Sequence, residues 1–89
     1  MKHIVKRSGH SEPYDERKLY ASIYAACLGI RETVGTAELV ANSVSTDVTK
    51  WIQPKSEVSS NDIRAQATKH LQELNEHAAF LYAHHRIMW

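Results

Sequence analysis

Residues 4 to 19, IVKRSGHSEPYDERKL, change backbone period within sixteen positions, and that change constrains the fold more than any other feature of the chain. His3-Ile4-Val5-Lys6-Arg7 is β-branched at its centre and Ser8-Gly9 comes next, with Gly9 able to take the positive φ of a tight turn. His10 to Tyr14 then returns as a second strand. Pro13 has no N–H to donate, so that strand lies at an edge or stops there. Asp15 is placed to cap a helix, its carboxylate accepting from the open N–H groups of the first turn. The chain is therefore expected to begin as a short hairpin over residues 3 to 14 and to turn directly into a helix.

The remainder of the chain has helical periodicity. Leu19, Ile23, Ala26 and Cys27 make one apolar face, with Gly29 as the stop. A second helix is expected from Thr36 to about Ile52, with Val40, Val44, Val48, Trp51 and Ile52 as its stripe and Pro54 ending it. Residues 54 to 59 are an extended connection in which Glu57-Val58 can add a strand to the hairpin. Ser59 and Asp62 have capping-box spacing, and Ile63, Ala67, Leu71 and Leu74 lie beyond them at helical intervals. Asn75-Glu76 breaks the pattern, and a fourth helix is expected from about Glu76 to Met88. The expected fold class is α+β, a four-helix bundle covered by a small β-sheet or hairpin lid, in a single domain spanning residues 1 to 89.

The totals narrow the function. Eighty-nine residues form one core, and 43% hydrophobic with 24% charged residues is ordinary for a soluble globular chain. Cys27 is the only cysteine, which excludes disulfides and a cysteine-based zinc ribbon within the chain. With no signal peptide and no apolar run near membrane length, the chain reads as cytoplasmic, without a membrane partner. A net charge of +1 argues against a nonspecific nucleic-acid binder. The charge is uneven: Lys2, Lys6, Arg7, Arg17 and Lys18 against Glu12, Asp15 and Glu16 leave the first 18 residues at +2. A local cationic patch of this kind suits a small anion better than a polymer.

No catalytic or metal constellation stands out. His70, His77 and His84 recur every seven residues, but seven residues rise roughly 10.5 Å along a helix, too far for two imidazoles to share an ion. Cys27 sits on an apolar stripe, where cysteine serves as a small hydrophobe. Gly9, Gly29 and Gly35 match neither a P-loop nor a dinucleotide fingerprint. The chain is read as a non-enzyme, and any anion site must be built from side chains. Lys18 in the first turn of the helix opposes the macrodipole by itself, whereas a bound phosphate reverses that sign.

The stretch VKRSGHSEPYDERKLYASIYAA resembles the opening of the ATP-cone domain. This nucleotide-binding regulatory module is found in ribonucleotide reductases and in a bacterial repressor of reductase genes. The usual pattern, Val-x-Lys-Arg-(Asp)-Gly-x-x-Glu-Pro-Phe-Asp-x-x-Lys-Leu, is met by Val5 (or Ile4), Lys6, Arg7, Gly9, Glu12, Pro13, Asp15, Lys18 and Leu19. VSSNDIRAQATKHL is similar to the family's third-helix start and AAFLYAHHR to its closing helix, while the middle helix carries no motif.

The resemblance implies a regulatory domain that binds ATP or dATP between hairpin and helices, with Mg²⁺ the ion that phosphates usually bring. It implies phosphate contacts from Lys6, Arg7 and Lys18, and ribose or base contacts from Glu12 and Asp15. Val5 and Leu19 would line the adenine pocket, and Ser60 and Arg64 on the third helix would complete the phosphate side. It further implies signalling through homo-oligomerisation or through a partner such as a reductase or its regulator. With neither a reductase barrel nor a zinc ribbon in the 89 residues, reductase activity and DNA binding are not expected of the chain itself. The competing readings are a ligand-free structural or protein-interaction domain and a small nucleic-acid-binding transcriptional regulator.

Overall fold

The computed structural model describes residues 3–5 and 11–84, with side chains from residue 13 onward. The Ser8-Gly9 turn, Lys6, Arg7 and residues 85–89 lie outside the described residues. The elements run β1 (His3–Val5), β2 (Ser11–Pro13), α1 (Glu16–Gly29), α2 (Val34–Ile52), β3 (Glu57–Ser59), α3 (Ser60–Leu74) and α4 (Glu76–His84). The strands pair in the order β2-β1-β3. β1 and β2 are antiparallel with His3 opposite Pro13 and Val5 opposite Ser11, and β1 and β3 are parallel with Val5 beside Ser59.

The expected bundle covered by a β-sheet lid is corrected by these proportions. Each strand is three residues long, against helices of 14, 19, 15 and 9 residues. Three residues of strand span roughly 7 Å, and a 15-residue helix about 22 Å, so these strands cannot lay a layer across the bundle. Among the described residues, β3 runs directly into α3 and packs against its start. The molecule is a four-helix structure with a minimal strand element beside the start of α3. The physical reason is visible at Pro13, where β2 ends, and at Ser59, where β3 gives way at once to a helix cap.

The core lies among the helices. Leu19, Ile23, Ala26 and Cys27 of α1 are fully buried, as the periodicity predicts. On α2 the inward row is Ala37, Ala41, Val44, Val48 and Ile52, while Val40 and Trp51, expected in the stripe, are half-buried at its rim. That helix also starts earlier than expected, because Thr33 supplies the cap: its Oγ1 accepts from the Thr36 N–H at 3.2 Å. Val58 of β3, Ile63, Ala67 and Leu71 of α3 and Ala78, Ala79 and Tyr82 of α4 complete the core; Leu74, also expected inside, is 52% exposed.

Two joints set the helix packing. α1 ends in a Schellman motif, with the Glu32 N–H on the Cys27 carbonyl at 3.0 Å and the Arg31 N–H on that of Leu28 at 3.0 Å. The left-handed position is Arg31, φ 66°, and not Gly29, which remains helical. α3 and α4 share one hinge residue. Asn75 closes α3 through its N–H on Leu71 O at 2.7 Å, and its Oδ1 caps α4 on the Ala78 N–H at 3.0 Å. The same side chain donates through Nδ2 to Glu32 Oε1 at 3.1 Å, fastening the joint to the α1–α2 turn.

Candidate functional site

The strand register decides which candidate residues meet. Val5 ends β1 beside Ser59, the cap of α3, and opposite Ser11, so the chain leaves β1 next to the first turn of α3. Ser60 and Arg64 are one turn apart on α3 and share a face of the helix. The capping box there is complete: Ser59 Oγ accepts from the Asp62 N–H at 3.0 Å, and Asp62 Oδ2 accepts from the Ser59 N–H at 3.3 Å. The head of α3 thus lies beside the end of β1, with its cap and third residue bonded to each other. Farther along the helix, Thr68 donates to the Arg64 carbonyl at 2.8 Å. Lys6 and Arg7, the expected phosphate contacts, lie outside the described residues, as do the side chains of Val5 and Glu12.

β2 runs the other way, so α1 begins at the opposite end of the strands, beside His3. Asp15 is the cap that the sequence predicts, its Oδ1 accepting from the Arg17 N–H at 2.9 Å with the Arg17 Nε at 3.6 Å. One carboxylate oxygen is thus committed to the helix, and Oδ2 is the one that remains for a ligand donor. Lys18 is exposed in the same turn. Leu19 is fully buried in the core and presents no surface to a ligand in this form. Of the nine candidates, Ser60 and Arg64 are brought beside the end of β1, while Asp15 and Lys18 stand together at the head of α1.

A contact that the sequence did not suggest ties that head to α2. Thr49 Oγ1 donates to Glu16 Oε1 at 2.7 Å and lies 2.9 Å from the Tyr14 hydroxyl. A threonine hydroxyl has a single proton, so Tyr14 must be the donor to Thr49 while Thr49 donates to Glu16. Burial pushes the Tyr14 phenol above its ordinary 10.0, against the Thr49 hydrogen bond, which lowers it; Glu16, Tyr82 and Asp15 add to the rise. Burial, with a smaller push from Glu32, also raises the Cys27 thiol above 9.0, which suits an inert core cysteine.

A separate open groove of about 480 Å³ runs between α3 and α4, lined in part by Thr68, Gln72, Glu76, His77 and Phe80. None of the nine candidates lines it. Phe80 is 65% exposed and stacks on His84 with ring centroids 4.0 Å apart. His84 is therefore turned to this groove, while His85 and Arg86 lie outside the described residues. Among the described residues, no three His, Cys, Asp or Glu side chains converge as a metal site.

The ATP cone domain family matches residues 2–89, nearly the whole chain. The chain belongs to that family. ATP cone domains bind adenine nucleotides and act as regulatory modules, so the coarse role of the chain is nucleotide-dependent regulation. No curated protein matches the chain. Among the described residues, no helix is long and apolar enough to cross a membrane.

Proposed function

We propose that this ATP cone domain is a non-enzymatic sensor that binds ATP or dATP and reports through self-association or through a partner, such as a ribonucleotide reductase or its regulator. The observation that carries this reading is the family match over residues 2–89, which includes the whole Lys6-Arg7 to Leu19 motif. The nucleotide contacts are Lys6, Arg7 and Lys18 for the phosphates, with Mg²⁺ accompanying them, and Glu12 and Asp15 for the ribose or base. Val5 and Leu19 are the residues assigned to the adenine side, and Ser60 and Arg64 complete the phosphate side from α3.

The geometry supports a site with two walls. A phosphate beside the end of β1 would lie at the head of α3, where the helix dipole favours negative charge. The head of α1 supplies the exposed Lys18 and a carboxylate oxygen of Asp15. Signalling requires the nucleotide to favour one state over another, and a difference in association state is the one proposed. Sedimentation velocity with and without each nucleotide tests it: a shift in sedimentation coefficient with ATP or dATP is expected, and an unchanged monomer at saturating nucleotide would remove self-association as the output.

A further inference from the structure

We infer that Thr49, in the helix that carries no family motif, is a positioning residue for the nucleotide site: its hydroxyl sets how the head of α1 is turned. The inference rests on the nucleotide reading proposed for the domain. Tyr14 and Glu16 flank Asp15 in the chain, and both are bonded to this one hydroxyl, from 35 and 33 residues away. Because Tyr14 donates in and Thr49 donates out, the chain of hydrogen bonds has one direction and one geometry.

Helix geometry gives this bond its consequence. Residues two apart on a helix point about 200° from one another, so binding Glu16 to α2 turns Lys18 away from α2 and outward. The same bond holds the Glu16 carboxylate against Thr49. Released, that carboxylate would sweep the first turn near Lys18 and oppose an anion bound there. The Thr49–Glu16 bond is exposed, and a bond in that setting adds little to folding because water competes for both partners. The main effect of the hydroxyl is therefore expected in ligand affinity and not in stability.

The test is calorimetric titration with ATP of the wild type, Thr49→Val, Thr49→Ser and Tyr14→Phe, with a thermal unfolding curve for each. Thr49→Val keeps the shape and removes the hydroxyl, and its Kd is expected to rise about tenfold while its unfolding midpoint stays near that of the wild type. Thr49→Ser restores the hydroxyl and is expected to restore the affinity. Tyr14→Phe keeps the Thr49–Glu16 bond and is expected to lose less, and it carries the test if Thr49→Val does not fold. Undiminished affinity in Thr49→Val, or equal losses in the Val and Ser variants, overturns the inference alone. A wild type that binds neither ATP nor dATP overturns the nucleotide reading and the inference together.

Discussion

Gly29 and Leu81 meet so closely that a Cβ built on residue 29 would lie 2.6 Å from Leu81 Cδ2. The contact joins the last residue of α1 to α4, and it gives this glycine a packing role in place of a turn role. The intruding atom is the tip of a flexible side chain that is only half-buried, so Gly29→Ala can be accommodated by rotating Leu81. Gly29→Val is expected to cost about 1–3 kcal/mol, the range for overpacking. Adding Leu81→Ala to Gly29→Val should recover part of the loss beyond additivity, as a double-mutant cycle in urea would show.

Arg31 carries the positive φ that ends α1. A side chain in that conformation is strained by Cβ against the neighbouring carbonyl, and glycine is not. Arg31→Gly is expected to raise the unfolding free energy by up to about 1 kcal/mol, part of the gain being offset by the greater freedom of glycine in the unfolded chain. Chemical denaturation reads this directly as a higher midpoint at unchanged slope.

Asn75 performs two functions that can be separated. Asn75→Ala removes the α4 cap and the bond to Glu32, and about 1–2 kcal/mol of stability is expected to go with them. Asn75→Asp keeps a capping oxygen but sets a carboxylate against Glu32, so it should recover only part of the loss near neutral pH. Protonating these carboxylates at low pH should narrow the gap between Asn75→Asp and the wild type.

Among the described residues, the buried Cys27 and the half-buried Tyr14 contribute to the pH dependence at the alkaline end. Cys27 and Tyr14 both have folded values raised above their ordinary 9.0 and 10.0. The folded state holds these protons more tightly than the unfolded chain, so the stability they confer is complete below pH 9.0 and lost as pH rises through the folded values. Denaturation curves across that range should decline from about pH 9 upward. Cys27→Ala is expected to flatten the first part of the decline and Tyr14→Phe the later part, whatever either does to stability at neutral pH.

Local chemistry makes much of this fold legible. The Asp15 cap and the Ser59–Asp62 box depend only on side chains reaching backbone within one turn, and both are found where the residue types put them. The inner face of α1 is legible for the same reason, since its buried residues recur at helical spacing. α2 is less legible because two of its large residues, Val40 and Trp51, sit at the rim, while the small Ala37 and Ala41 are fully buried. The strand element is smaller than the sequence suggests because β-branched residues mark where a strand can form and not where its partner stops. Gly29 and Arg31 show a further limit: which of two nearby residues takes the left-handed turn depends on α4 lying against the first. For the candidate site, the motif names residues at both ends of the strands, but a threonine more than thirty positions away carries no local sign that it meets Glu16.

The charged opening segment is proposed to bind an adenine nucleotide. Calorimetric titration of the wild type and of Lys6→Ala with ATP and with dATP tests it most directly. Binding near the micromolar range by the wild type, lost or much weakened in Lys6→Ala, is the expected result. No heat and no shift in thermal unfolding with either nucleotide would contradict the claim and leave an ATP cone fold that acts as a protein-interaction domain.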